Sequence, residues 1–419
     1  MTDPSPPSAP LRARWTVLAL LSIAIAGNYY TYDAVAPVAD MLRTQRGFTQ
    51  SQIGLLNAAC SMPNIVLALV SGLLIDRFGA ASVILFSAAL DVAGTALTAW
   101  GTPFPIMVTG RVLFGFGEET LLIALLAGLA NWFPARGLAL AMSLFFSCAR
   151  IGSYFADISP KWAGPAYDLG WQGPLWLATA LTGVSLISAL AFYNLDATRH
   201  TAAAARTEKT PLGPWLGLGG FSRSFWYILG LNVLYATVFF PFRSTFSIEY
   251  FQDAKGLSLE AAGLVNSWVF FAAIFATPWF GLIADRFGHH GLMMTLGAAL
   301  MTLTFVILSG TDWSLWISTV LMGLSFSVVP AVIWPATALS VDPRRLGLAF
   351  GIINVLQNLG MALCNLAAGW LNDRYLAGPS NPAGYGPMLW MFGIVSFVAL
   401  LCVALFWHRE SRTRTSPVT

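Results

Sequence analysis

Four ionisable residues, Arg111, Glu118, Glu119 and Arg150, stand inside long apolar runs of the chain. Left unpaired near the centre of a bilayer, each costs roughly 2.5–3.5 kcal/mol even on the lenient scale of biological insertion, so they must be paired, hydrated or both. Glu119 precedes a short turn near Pro134 and Ala135 by about fifteen residues, and Arg150 follows it by about fifteen. At 1.5 Å per helical residue both lie roughly 23 Å from that end of the hairpin. A carboxylate and a guanidinium at one depth can take the two ends of a small zwitterion, Glu119 the α-ammonium and Arg150, bidentately, the α-carboxylate. The plainer reading is an ion pair that joins two helices. Glu118 is turned about 100° from Glu119 and faces a shared cavity less well, so it pairs with Arg111 or keeps its proton. Glu118 and Glu119 are the candidates for proton coupling, because loss of water favours a neutral carboxyl.

Arg111 lies eight residues, roughly 12 Å, from Glu119. Its expected role is structural, tying its helix to Asp33 or to Asp91. Arg243, just after Pro241, either adds positive charge to the cavity or snorkels to the outer face. Tyr29, Tyr32, Asn57, Asn64 and Trp334 are the neutral candidates for the cavity wall, aromatic rings with one polar atom being able to cover variable side chains. Pro335 is expected to break the helix beside Trp334.

The elements that must position these residues follow from composition. The chain has 419 residues, 57% hydrophobic and 10% charged, with a mean hydropathy of +0.68. A soluble globule carries about 25% charged residues, so lipid must be part of the solvent here. A membrane-crossing helix needs about 20 predominantly apolar residues. Charged and Pro/Gly-rich breaks predict twelve, near 15–37, 51–75, 80–100, 103–132, 136–159, 172–195, 225–250, 259–284, 290–310, 313–340, 345–371 and 386–408. The expected organisation is a disordered cytosolic tail at 1–14, a six-helix bundle at 15–195, a cytosolic linker at 196–224, a second six-helix bundle at 225–408 and a cytosolic tail at 409–419.

Basic residues are retained on the cytosolic side of a membrane. Fourteen Lys and Arg fall in the tails, the linker and the loops on their side, against five in the opposite loops. Both termini are therefore expected in the cytosol. The halves also repeat: GLLIDRFG at Gly72–Gly79 recurs as GLIADRFG at Gly281–Gly288, 209 positions on. Such a duplication is a mark of transporters built from two structural repeats.

Gly-x-x-x-Asp-Arg-x-Gly after the second span, with Gly110-Arg111-x-x-x-Gly115-x-Gly117 in the fourth, resembles the two hallmark motifs of the major facilitator superfamily. The resemblance implies an all-α fold of twelve transmembrane helices in two pseudo-symmetric bundles, working by alternating access. It also implies gating by Asp76, Arg77, Asp285 and Arg286, whose carboxylates can cap a neighbouring helix N-terminus. Further fragments run through both halves: Tyr29-Tyr30-Thr31-Tyr32-Asp33, Pro63-Asn64, Phe116-Gly117-Glu118-Glu119-Thr120, Ala149-Arg150-Ile151-Gly152-Ser153, Trp334-Pro335 and Gln357-Asn358-Leu359-Gly360. In order, they are similar to the lysosomal dipeptide-transporter branch. That likeness implies peptide recognition by Glu119 and Arg150. Glu118 departs from it, standing where a small residue is expected.

The implied cargo is a dipeptide or similar zwitterion, carried as a uniporter or with a proton. The alternative is a proton-coupled carrier of organic anions or drugs, and a more distant one a non-transporting receptor. A net charge of +3 gives no basic face for nucleic acid. The four histidines, His200, His289, His290 and His408, sit near the cytosolic margin with no nucleophile or metal set, so neither an enzyme nor a metal or cofactor site is expected. Cys60, Cys148, Cys364 and Cys402 read as small buried hydrophobes. The absence of an Asn-x-Ser/Thr sequon and the scarcity of Lys favour a bacterial inner membrane. Neither lysosomal residence nor an accessory subunit is implied.

Overall fold

A computed structural model describes residues 11–101, 103–133, 135–200, 221–287, 290–310, 314–342 and 345–415. Much of the expected linker and the outer ends of both tails thus lie outside the described residues. The first half comprises α1 (Leu11–Asp33), the short α2 (Ala39–Arg46), α3 (Gln50–Phe78), α4 (Ala80–Trp100), α5 (Phe104–Trp132), α6 (Ala135–Asp157), the short α7 (Ser159–Trp162) and α8 (Gly164–Asp168), and α9 (Gln172–His200). The second comprises α10 (Arg223–Pro241), a π turn (Phe242–Phe246), α11 (Ser247–Lys255), α12 (Leu259–Phe287), α13 (His290–Gly310), α14 (Leu315–Ser340), α15 (Leu346–Arg374) and α16 (Gly386–Thr415). Taking α10 to α11 as one broken span, twelve long helices stand among the described residues, one for each run expected. Among the described residues, eight spans are long and apolar enough by themselves to cross a membrane. Of the charged residues of the site below, Arg150 sits on α6, which is not one of the eight, and Arg111, Glu118 and Glu119 sit on α5, which is.

Three helices outrun the expected domain bounds. α1 starts at Leu11, α9 continues to His200 and α16 to Thr415. For α9 and α16 the sequence supplies the reason: no Gly or Pro follows Asp196 before Pro211, or Arg409 before Pro417, so nothing stops the helix at the apolar boundary. α14 likewise runs unbroken past Pro335, against the expected break.

Packing reproduces the duplication. α4 lies on α5 as α13 lies on α14, α3 on α5 as α12 on α14, α1 on α6 as α10 on α15, α4 on α9 as α13 on α16, and α1 on α9 as α10 on α16. The halves meet through α3 against α15 and α6 against α12, again one pair per repeat. Local signals share the 209-residue offset. Gly47 ends α2 and Gly256 ends α11, both at φ +66°, a conformation that costs a side chain with Cβ. Two residues on, Thr49 closes a capping box with Gln52, and Ser258 accepts from the Ala261 N–H. Each half buries its own apolar core, around Leu21, Leu125 and Phe145 in the first and Phe239, Phe305 and Phe392 in the second. Apolar side chains such as Phe86, Ile187, Leu303 and Ile394 remain on the outside, as lipid requires.

The halves close on the side where α1 ends and α3 begins, called the far side here. On the opposite side, where α1 starts, Asp76, Arg77 and Arg286 are exposed, and neither Gly72 nor Gly281 has a neighbour within 4 Å of where a Cβ would stand. The gap between the halves therefore opens toward the helix-start side.

Close approach within a half depends on missing side chains. A Cβ on Gly94 of α4 would stand 2.3 Å from the Phe114 nitrogen and 2.7 Å from the Gly110 oxygen of α5. Gly94→Val is expected to cost roughly 1–3 kcal/mol by overpacking. The check is a thermal-unfolding curve in detergent, which should shift down by several degrees, whereas Gly72→Ala should leave it unchanged.

Candidate functional site in the gap between the halves

Arg150 projects from the middle of α6 and is held by the other half. Its Nη1 donates to Thr277 Oγ1 at 2.5 Å and to the Ala273 carbonyl at 3.2 Å, both on α12. The guanidinium lies 5.5 Å from the ring centre of Phe326 on α14. The rest of its donor fork has no protein partner among the described residues, and the side chain is half-buried. That leaves an edge able to receive a carboxylate.

Glu119 is also half-buried, and among the described residues its carboxylate has no hydrogen bond or ion pair. The two charges therefore do not neutralise each other, which sets aside the plain helix-joining pair. Tyr29 of α1 stands within Coulombic reach of Glu118, Glu119, Arg150 and Asp33. Glu118 accepts from Asn64 Nδ2 at 3.3 Å rather than from Arg111.

Arg111 meets neither Asp33 nor Asp91. Its Nη2 donates to Asn57 Oδ1 at 2.8 Å, and its other donors reach the carbonyls of Leu56, Thr31 and Tyr32. The expectation failed because both acids are engaged elsewhere. Asp91 accepts from Asn28 at 2.9 Å, and Asp33 pairs with Arg243 at 2.6 Å. Arg243 in turn neither snorkels nor lines the open gap: it is fully buried, bonded also to Asp157 and stacked 4.0 Å from the ring centre of Phe270. Asn57, expected on the cavity wall, belongs to the closed seam, where Nδ2 donates to Thr245 Oγ1 at 2.7 Å and to the Ser244 carbonyl at 3.1 Å. Tyr32 is half-buried and meets Phe240 of the other half edge-on. The side chains of Trp334 and Asp285 lie outside the described residues.

The outermost part of the far side carries a latch. Arg43 of α2 bonds Glu249 and, at 3.1 Å, Asp253 of α11. Gln50 Nε2 donates to Glu249 at 2.8 Å, and Tyr385 donates to Asp253 at 2.7 Å. Burial by itself would lower the affinity of Arg43 for its proton, but Glu249 and Asp253 outweigh it and raise the pKa above the ordinary arginine value. Asp40 beside it is pushed up, by burial first and then by Asp253. Below this, both carboxylate oxygens of Asp373 on α15 accept from the Gln50 and Ser51 N–H groups at 2.8 Å. An anion of the second half thus caps the positive end of α3 in the first.

Asp157, Glu249, Thr277 and Phe326 escaped the sequence reading. The two acids had a usable signal, since each falls within one of the apolar runs predicted to cross the membrane. For Thr277 and Phe326 there was none, because their role consists of meeting Arg150 across 120 residues or more.

The family profile of the Major Facilitator Superfamily matches residues 21–259 and 228–418. The lysosomal dipeptide transporter MFSD1 of Homo sapiens is 31% identical over 378 residues, covering 87% of this chain and 81% of that protein. The probable sulfoacetate transporter SauU of Cupriavidus necator is 22% identical over 389 residues, covering 87% and 88%. In fold, the chain resembles a bacterial homologue of the human lysosomal transporter Spinster, solved inward-facing and occupied, with a TM-score of 0.76, 15% identity and coverage of 97% and 98%. The chain belongs to the Major Facilitator Superfamily. It is a membrane transporter rather than an enzyme, and a relative of the lysosomal dipeptide transporters.

Removing Arg43 leaves Glu249 buried without its cation. Breaking a buried pair costs about 3–5 kcal/mol. Arg43 is 21% exposed, so roughly 1–2 kcal/mol is expected, a five- to thirty-fold change in an equilibrium constant. Arg43→Gln should raise, by about that factor, the rate at which a membrane-impermeant maleimide added on the far side labels a cysteine introduced at Ala36. Ala36 is 2% exposed and packs against the second-half core.

Proposed function

We propose that the protein carries dipeptides or similarly small zwitterions through the gap by alternating access, as a uniporter or together with a proton. The observation that carries this reading is that Arg150 and Glu119, opposite charges on the gap's walls, are not paired with each other, while Tyr29 lies within reach of both. A site prepared for one positive and one negative end has this arrangement, because a guanidinium and a carboxylate satisfied by each other would have little left for a ligand. The likeness to lysosomal dipeptide transporters supports it.

In this reading Glu119 receives the α-ammonium and Arg150 the α-carboxylate, with Tyr29, Tyr32 and Trp334 covering the side chains. Asn64 acts through Glu118, orienting its carboxyl. Glu118 and Glu119 are the groups in the gap that can exchange protons. Asp76, Arg77, Asp285 and Arg286 latch the helix-start side when it shuts. The distribution of Lys and Arg supports a cytosolic location for both termini, with the first half at 15–195, the linker at 196–224 and the second half at 225–408, in the inner membrane of a bacterium. The open gap then faces the cytosol, and no accessory subunit is invoked.

A second reading, proton-coupled transport of organic anions, draws on the free edge of Arg150 and the likeness to a probable sulfoacetate transporter. There Arg150 alone holds cargo. Counterflow in liposomes separates the two. Dialanine, but not sulfoacetate, is expected to exchange, and Glu119→Gln or Arg150→Gln should each abolish exchange while the protein still elutes as a single folded species. Loss with Arg150→Gln alone, together with sulfoacetate exchange, would replace the first reading by the second.

A further inference from the structure

The seam on the far side is built twice. Gly54 of α3 and Gly263 of α12 are 209 positions apart, and a Cβ on either would press on a backbone carbonyl of the opposite half, Asn365 at 2.3 Å and Asp157 at 2.2 Å respectively. Three residues on in each helix stands an asparagine. Asn57 donates to Thr245 Oγ1, which donates to Asn365 Oδ1 at 2.8 Å, and Asn266 donates to Asp157 Oδ1 at 3.0 Å. Asn365 of α15 and Asp157 of α6 are therefore counterparts in the two repeats. One is an amide and the other an acid. Since the Asn365 copy closes around a neutral side chain, the seam does not need a charge at this place in order to pack.

The acidic copy draws in two more charges. Arg243, in the π turn after Pro241, bonds Asp157 Oδ2 with one nitrogen and Asp33 Oδ2 of α1 with the other. Arg243 and Asp157 are 0% exposed and Asp33 2%. Two carboxylates from the first half thus share one guanidinium from the second, with Asp33 Oδ1 and Arg243 Nε lacking partners among the described residues.

Among the described residues no second cation bonds either carboxylate. Tyr29, Tyr32 and Glu118 lie within Coulombic reach of Asp33, and Tyr167 of Asp157. Arg111 donates to Asn57 and to the carbonyls beside Asp33 and, among the described residues, bonds neither aspartate directly. Across gap and seam together, Asp33, Asp157, Glu118 and Glu119 stand against Arg111, Arg150 and Arg243, and Asp91 adds a further acid near Glu118. An uncompensated anion out of water costs several kcal/mol. Two carboxylates on one cation avoid that cost by taking up a proton.

We propose that Asp33 and Asp157 together hold one proton while the far side is sealed, and release it to that side when the seam parts and water reaches them. The proton belongs to the pair rather than to one oxygen. This rests on the transporter reading above and adds the group that ties its cycle to pH, at the seam rather than at the glutamates of the gap. The sealed form binds one proton more than the open form, so acid on the far side favours sealing. Over the pH range in which only the sealed form holds that proton, the ratio of sealed to open protein falls by up to about tenfold per pH unit.

The test is the far-side labelling of Ala36→Cys by an impermeant maleimide between pH 5 and pH 8, alone and combined with Asp157→Asn or Asp33→Asn. Dividing the rate without the second substitution by the rate with it cancels the thiol's own titration. The ratio is expected to rise several-fold with pH for both variants. Asp157→Asn should fold, because Asn365 already occupies the equivalent place, and Asp33→Asn gives an independent reading. A ratio that stays flat across this range overturns the proposal. Dialanine counterflow in the same vesicles tests the cargo separately: its failure with a rising ratio removes the cargo and keeps the proton site, whereas counterflow with a flat ratio does the reverse.

Discussion

A charge taken out of water must find its partner, and on the far side of this protein the ionic partners stand on the opposite half. Arg243 of the second half answers Asp33 and Asp157 of the first, Arg43 of the first answers Glu249 and Asp253 of the second, and Asp373 of the second caps α3 of the first. Each of these groups is costly in a low-dielectric seam and inexpensive in water. Parting the far side would therefore exchange these partners for water. Intermediate separations would lose the partner before gaining the solvent.

Shape reinforces that choice. At Gly54 and Gly263 backbone meets backbone without a side chain between, so the seam closes to contact or not at all. The gap on the other side is built differently. Arg150 reaches across it by a single nitrogen, and Glu119 has no partner among the described residues. A ligand with two charged ends can replace such loose contacts at little cost, which a fully satisfied network would not permit. Closely paired charges are thus concentrated on the far side and loosely held ones in the gap.

The duplication explains why so much of this comes in pairs, and its exceptions are informative. Glycine caps, N-caps, close-approach glycines and asparagines recur at a fixed offset in both repeats. Asp157 opposite Asn365 breaks the rule, as does Glu118 beside Glu119, which the second half does not echo. Where one repeat carries a charge that its twin lacks, packing alone cannot be the reason for it.

Much was legible in the chain alone. Hydropathy with its punctuation marked twelve helices, because lipid forces every backbone group into a local hydrogen bond and leaves length and composition to decide the rest. The repeated GLLIDRFG and GLIADRFG marked the two halves, and the cost of burying charge singled out Glu118, Glu119, Arg111 and Arg150. Which charge meets which was decided only by the tertiary structure. Arg111 turned to carbonyls and Asn57, Asp33 was claimed by a residue 210 positions away, and Arg150 found Thr277. Helical spacing determines the depth of a side chain and its direction on its own helix. It contains nothing about the rotation and register of the helix packed opposite, and those choose the partner.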